Sequence, residues 1–436
     1  MGLLMVSVDM TIVATALATI QRDLDASLSW SGWTITVYSL GQIIAMPVGG
    51  RLSDQFGRKK VLLVATSVFS VASLCCGLVD NIYALIAFRA VQALGGGAVV
   101  PSATGIVADH FGRNRDRAIG MFSSIFPIGA IIGPVIGGVL ITYTSWRAIF
   151  FVNVPIGLLV IVLAALLITQ ASPPQRSRLD VPGTIMLAVL LLSAMYGVTI
   201  LGVGATLTDP RFAAAEATAA VTLVLFVRHI RRREAPIIPP ALLRGRGFAV
   251  MHVVNVLFGG VVIGMGALIP LYAELRYGLE PLQAGSMLAA RAIGMICVAG
   301  FAVLVLRRLG HRIPIIVGFA TVSAGLFLMS TTPHGMTAYH WLALTAGITG
   351  VGMGVAMPAS NNATLHLAPT EISTIAGLRG MFRQTGAIAA ISITTAVLAR
   401  SDQPEIAHAA AFAVFAFLLL ATVPLIFTIP DHRGTW

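Results

Sequence analysis

Fourteen apolar stretches, each long enough to cross a bilayer, follow one another through the 436-residue chain. A membrane-spanning helix needs about 20 apolar residues. Cut at charged boundaries, the stretches fall near 1–20, 31–50, 61–79, 83–108, 118–141, 148–170, 183–203, 212–230, 248–272, 284–306, 313–331, 338–363, 374–399 and 408–429. The eighth is the weakest, because 212–220 is rich in alanine. The pattern predicts an all-α membrane protein with 14 transmembrane helices. Segment 1 begins at Met1 with no cleavable signal, so either the chain starts at the membrane edge or its true start lies upstream.

Composition narrows the classes further. Hydrophobic residues make up 57% and charged residues 10%, against about 25% charged in a soluble domain. That excludes a soluble enzyme, a disordered regulator and a secreted disulfide scaffold. Cys75, Cys76 and Cys297 all lie within apolar runs, an odd set with neither a disulfide framework nor metal-ligand spacing.

The net charge of +11 raises nucleic acid as a partner, and the placement of the charges removes it. Lysine and arginine accumulate in cytoplasmic loops. With the N-terminus inside, 19 of the 28 basic residues face the cytoplasm, five face outward, and Arg89, Arg291, Arg379 and Arg383 fall within spans. Both termini are therefore expected in the cytoplasm. The longest connection on that side, HIRRREAPIIPPALLRGRG, makes 231–247 the candidate linker.

The strongest local motif is GRLSDQFGRKK, Gly50 to Lys60, between segments 2 and 3. Its glycines, Gly50 and Gly57, permit a tight turn and close helix approach. Asp54 and the basic triplet beginning at Arg58 can form a charge network at the membrane surface. A fainter echo, Gly310-His311-Arg312, matches Gly57-Arg58-Lys59 but lacks the aspartate. Such repetition fits a transporter built from repeated halves.

With that loop, the chain resembles the major facilitator superfamily, and more narrowly its fourteen-helix drug:proton antiporters. Asp9-Met-Thr11 in segment 1, Arg89-Ala-Val-Gln92 in segment 4, and Trp146-Arg147 leading to Phe150, Asn153 and Gly157 carry the resemblance. So do Asp180-Val-Pro182-Gly183 and Arg383-Gln384-x-Gly386. Segment 5 carries the family's antiporter motif as Gly129, Gly133, Pro134, Gly137 and Gly138. Ala14, Ala18, Ala93, Ala148 and Ala290 depart from the family pattern on a packing scale. The resemblance implies a major facilitator fold of two six-helix halves plus two intervening helices. The division is 1–170, a helix pair at 171–230, the linker 231–247, and 248–436. It also implies alternating access, coupling to protons, and function as a monomer.

Ionisable groups at membrane depth are costly and mark partners or water-filled paths. Asp9 is the only acid deep in a span. At 1.5 Å per residue, Asp9 sits about 16 Å below the outer surface and Arg89 about 10 Å, a difference an arginine side chain can bridge. Asp9 is expected to carry the coupling proton with Arg89 adjusting its ionisation. A nearby cation favours the carboxylate, while burial favours the neutral acid. A fixed structural ion pair is the competing reading. The antiporter glycines recur every four residues, which gives segment 5 a smooth stripe for close packing, and Pro134 removes a backbone bond.

The deep charges of the second half are basic. Arg379 and Arg383 are four apart and share a helix face, with Arg379 near enough to the cytoplasmic end to snorkel. If both face a cavity, neutral or anionic amphiphiles should be better substrates than quaternary ammonium dyes. Tyr38, Gln42, Gln92, Arg291, Asn361 and Asn362 are further candidates for the pathway, or for hydrogen bonds across helices. Glu274 reads as a rim residue. His252, His340 and His366 are scattered without ligand spacing, so no metal site is expected, and no cofactor is implied. The chain has no G-x-x-x-x-G-K-[ST] loop, which argues against ATP as the energy source. The leading function is proton-coupled export of amphiphilic small molecules from a bacterial inner or plasma membrane. A major facilitator carrying one metabolite or lipid is the alternative, and a membrane-embedded lipid enzyme is weaker for want of paired acids.

Overall fold

The computed structural model describes residues 1–436 except Ser124, 170–179, Val203, Arg244, His334, 369–370 and 430–436. It also leaves undescribed the side chains of Ala18, Leu28, Ser29, Arg113, Pro127, Ala130, Arg246, Pro281, Leu282 and 301–308. The expected inside charges at Arg176, Arg178, Arg244 and Arg433, and the side chains of Arg113, Arg246, Arg307 and Arg308, therefore lie outside the described residues.

Every predicted segment coincides with helix, and the described residues contain no strand. The first four are α1 (Gly2–Asp23), α2 (Leu28–Phe56), α3 (Arg58–Leu78) and α4 (Ile82–Phe111). Segment 5 comprises α5 (Arg115–Ser123) and α6 (Ile125–Tyr143), and segment 6 comprises α7 (Ala148–Phe151) and α8 (Asn153–Leu167). Next come α9 (Val181–Gly202) and α10 (Pro210–Arg232). Segment 9 is α11 (Arg246–Gly259), a π-helical turn at Gly260–Met265, and α12 (Ile269–Tyr277). The rest are α13 (Pro281–Leu309), α14 (Arg312–Ser330), α15 (Ala338–Leu365), α16 (Ile372–Leu398), α17 (Pro404–Leu420) and α18 (Val423–Ile426). Among the described residues, eleven helices are long and apolar enough to span a membrane. Gly2–Leu17 and Ile131–Tyr143 are shorter apolar helices.

Local chemistry sets the boundaries. Ser27 and Asn81 cap α2 and α4 by accepting first-turn N–H groups. Asp209 does the same for α10, followed by Pro210 at the first helical position. These residues fix where the weakly hydrophobic eighth segment begins its helix, and its alanines favour helix intrinsically. A single residue, Gly57, separates α2 from α3 at φ 97°, a conformation that strains any side chain. Gly310 repeats that device at φ 70° between α13 and α14, so the echo seen in the sequence is also an echo of backbone.

The chain groups into two compact units. The first is Met1–Arg115, Ile125–Leu179 and Pro369–Met381; the second is Asp116–Ser124, Asp180–Ala368 and Phe382–Trp436. The α9–α10 pair falls in the second unit. In the first unit α1 packs on α6, and α4 packs on α2 and α3. In the second, α15 packs on α13 and α14. Helices in lipid gain little from hydrophobic burial against one another and rely on small residues for close approach. Here a Cβ on Gly95 would overlap the Phe69 backbone, and one on Gly318 would overlap Ala356. Large apolar side chains such as Val64, Leu78, Leu166 and Phe417 remain on the outside, as lipid-facing residues must.

Candidate functional site

The first unit holds a buried polar cluster centred on Asp9. Arg89 Nη1 lies 2.8 Å from Asp9 Oδ2, and both side chains are almost completely buried (1% and 0% exposed). The opposite oxygen, Oδ1, accepts from Gln92 Nε2 and Asn153 Nδ2, each at 2.9 Å. Ser73 Oγ accepts from the same two amides at 3.1 Å and donates to the Phe150 carbonyl. Arg89 also donates to Gln92 Oε1 and to the Thr34 carbonyl. Its guanidinium lies 3.9 Å from the centre of the Tyr38 ring, a cation–π contact. Donors from α4 and α8 thus converge on the α1 carboxylate, and residues of α2, α3 and α7 complete the cluster.

Every group around Asp9 presents a hydrogen-bond donor to it, so a protonated Asp9 must give up at least one of them. The opposite face of α1 meets the antiporter glycines. A Cβ on Gly129 would overlap Ser7, one on Gly133 would overlap Thr11, and one on Gly137 would overlap Thr15. Ser7, Thr11 and Thr15 lie on one side of α1 and Asp9 on the other, by the 3.6-residue period. Gly138 has nothing near its Cβ position and stands off the stripe. Pro134 sits inside α6.

The signature loop forms a second cluster in the first unit. Asp54 Oδ1 accepts from Arg58 Nε and Nη2 at 3.3 and 3.2 Å. Oδ2 accepts the backbone N–H and the hydroxyl of Thr374 at 2.8 and 2.9 Å. Thr374 is the third residue of α16, so Asp54 supplies the cap that this helix start requires, and its charge complements the positive helix end. Arg58 additionally pairs with Asp109 and donates to the Gly105 carbonyl. Arg51 reaches Glu371 at 3.4 Å. Gly50 is a glycine of necessity, since a Cβ would overlap the Ser373 carbonyl.

In the second unit, Arg383 Nε donates to Asn255 Oδ1 at 3.0 Å, and its guanidinium lies 5.0 Å from the Phe258 ring centre. Arg291 donates to the Val262 carbonyl, which belongs to the π-helical turn, and to Met353 Sδ. A π turn displaces carbonyls from regular pairing, and such turns recur at functional positions. Asn361 donates to Ser123 Oγ at 2.7 Å and Asn362 to the Asp116 carbonyl at 2.9 Å, so both amides fasten α5 to α15. His366 Nε2 lies 2.7 Å from Asp116 Oδ2, with His311 beside it. His366 is therefore not isolated, as its sequence surroundings suggested. Arg379 groups with the first unit and is 8% exposed, so snorkelling to water does not describe it. Gln42 is fully buried on α2.

Charges in the connections are fastened too. Asp23 accepts from Trp146 Nε1 and Arg147 at 2.7 Å, and Arg147 also reaches Asp80. The hydrogen bond from Trp146, then that from Arg147, holds the Asp23 carboxyl below its ordinary value. Asp180 caps α9 through the Gly183 N–H and accepts from His229 and from the Ile237 N–H at 3.0 Å. Burial raises its carboxyl, but those three hydrogen bonds prevail and leave it below its ordinary value.

Sequence reading missed Ser73, Thr34, Asp109, Thr374, Asp116 and His311. For Asn153 the available signal is a lone amide among apolar residues. Ser73 carried none.

The comparisons agree with this architecture. The model of the Major Facilitator Superfamily matches residues 1–391. Multidrug resistance protein 3 of Bacillus subtilis (strain 168) is 30% identical, over 81% of this chain and 69% of its own. The Tetracenomycin C resistance and export protein of Streptomyces glaucescens is 29% identical, over 100% and 83%. Among solved structures, the human organic anion transporter MFSD10 superposes with a TM-score of 0.68 at 16% identity, covering 98% of this chain and 97% of that one. The proton:xylose symporter XylE gives 0.66 at 12%, covering 99% and 94%. The chain belongs to the Major Facilitator Superfamily and is a multi-pass membrane protein with that fold.

Proposed function

We propose that this protein is a proton-coupled exporter of amphiphilic small molecules, drugs among them, working by alternating access as a monomer. Its relatives in Bacillus subtilis and Streptomyces glaucescens are named for multidrug resistance and for antibiotic resistance and export. The observation that carries the coupling is Asp9, a wholly buried carboxylate held by Arg89, Gln92 and Asn153. A proton arriving on Asp9 neutralises the partner of Arg89 and turns one accepting oxygen into a donor facing other donors. The cluster must then rearrange, and α1 with it, because Asp9 and the contacts with α6 lie on opposite faces of that helix. Proton occupancy is thereby linked to the packing of α1 against the glycines of α6.

The proposed division is 1–170 and 248–436 as six-helix halves, with 171–230 as the extra pair and 231–247 as linker. Both termini lie in the cytoplasm of a bacterial inner or plasma membrane, with the lipid bilayer as solvent. Inside-out membrane vesicles test the export direction. Acidifying their lumen drives accumulation of a fluorescent amphiphile, and collapsing the gradient releases it. Accumulation driven instead by an alkaline lumen would identify an importer.

A further inference from the structure

We propose that Asp116, His311 and His366 form a transition-metal site of the kind that takes Zn2+. One carboxylate oxygen of Asp116 and one nitrogen of each imidazole lie within 4.8 Å of one another. This is the only such grouping of three or more histidine, cysteine or acidic residues among the described residues. His366 Nε2 and Asp116 Oδ2 are already 2.7 Å apart, and the rings of His311 and His366 have centroids 5.2 Å apart. Zn2+ bonds of about 2.0–2.1 Å place tetrahedral ligands about 3.3 Å apart. Small side-chain rotations therefore close the set around an ion. Two imidazoles with one carboxylate select borderline metals over Mg2+ or Ca2+, and three protein ligands leave a fourth position for water.

The surroundings pre-organise the three residues. Asp116 is the second residue of α5, His311 is the residue before α14, and His366 is the residue after α15. All three therefore sit at helix ends of the second unit. Asn362, one turn before His366, donates to the Asp116 carbonyl, and Asn361 holds Ser123 at the other end of α5. Outer hydrogen bonds of this kind hold ligands in place before a metal arrives. Gly310, at φ 70°, is the single residue between α13 and His311 and turns the chain there. His366 also stands at the carboxyl end of α15, where the helix dipole favours positive charge.

The internal echo gives the site its logic. In the first unit the residue after the turn glycine is Arg58, a built-in cation that pairs with Asp54 and Asp109. In the second unit the corresponding residue is His311, and the acid it approaches, Asp116, comes with a second imidazole. A divalent ion there supplies the positive charge that Arg58 supplies in the first unit. It ties α5, α14 and α15 together at one point.

Tag-free, full-length protein in nanodiscs, titrated with Co2+, tests the site. The expected result is one equivalent giving the intense visible bands of a low-coordinate ion, displaced by Zn2+. His311→Gln and His366→Gln should each weaken binding by more than the roughly 10–100-fold that loss of an outer-shell partner costs. His340→Gln, elsewhere on α15, should leave it unchanged. Absence of bands in the wild type, or binding untouched by both histidine variants, overturns the proposal. Should the variants fail to fold, X-ray absorption of the Zn2+-loaded wild type decides. Two imidazoles in the shell support the site, and an all-oxygen shell refutes it.

Discussion

Asp54 and Thr374 are 320 residues apart in sequence and joined by two hydrogen bonds to one carboxylate oxygen. An acid in the last turn of α2 thus serves as the cap of a helix that begins more than three hundred residues later. A charged acceptor makes such bonds worth about 1.5–3 kcal/mol, twice the neutral case. Asp54→Asn is therefore expected to destabilise the protein by about 1–2 kcal/mol. Thr374→Val should do the same in part, and the double variant less than their sum. Thermal unfolding in detergent measures this, and strict additivity would show that the two residues do not interact.

Asp9 and Arg89 make a stability prediction separate from transport. Removing one partner of a buried ion pair leaves an unpaired charge and costs about 3–5 kcal/mol, while replacing both with apolar residues is often neutral. Asp9→Ala should lower the unfolding temperature strongly, and Asp9→Leu with Arg89→Met should recover most of the loss. A double variant as unstable as the single one would mean that the wider polar cluster, rather than the charge balance, dominates.

The glycines of α6 differ in what surrounds them. A Cβ on Gly133 would overlap the Thr11 hydroxyl, whereas one on Gly138 meets nothing within 4 Å. Gly133→Ala is expected to cost about 1–3 kcal/mol through overpacking, and Gly138→Ala to be silent. Comparable effects from both would contradict the packing of α6 on α1.

Asp180 predicts a pH dependence. Its folded carboxyl lies below its ordinary value, so its contribution is present above the unfolded carboxyl's value, about 3.9. It is lost as pH falls through the folded value. Amide exchange at Ile237, whose N–H bonds to Asp180, should stay protected from neutrality down to the unfolded carboxyl's value, about 3.9, and open as pH falls through the lower folded value. In Asp180→Asn the amide should be less protected already at neutral pH. Protection that ignores both acid and the substitution would remove Asp180 from the anchoring of 231–247.

Much of this was legible in the sequence because lipid imposes length and charge rules that hold residue by residue. Spans of about 20 apolar residues fixed the helices. A lone deep acid and a deep arginine implied a pair before its geometry was known. Gly57 and Gly310 announced their turns. What stayed hidden were partners that a single chain does not announce. Ser73 and Thr34 are ordinary helix residues until folding sets them beside Gln92 and Arg89. His311 and His366 are 55 positions apart, and Asp116 is 250 from His366, so no local spacing marks them as a group. Segment 9 also reads as one continuous run, and nothing in its composition marks the π turn at Gly260–Met265, which lies among closely packed glycines.

Asp9 is proposed to carry the coupling proton. Purified wild type and Asp9→Asn, reconstituted in proteoliposomes with an imposed proton gradient and a labelled amphiphile, test it most directly. The amide preserves size and hydrogen bonding but takes up no proton. Asp9→Asn is expected to lose gradient-driven accumulation while still equilibrating substrate across the membrane. Accumulation at the wild-type level in Asp9→Asn would contradict it and leave Asp9 and Arg89 as a structural ion pair.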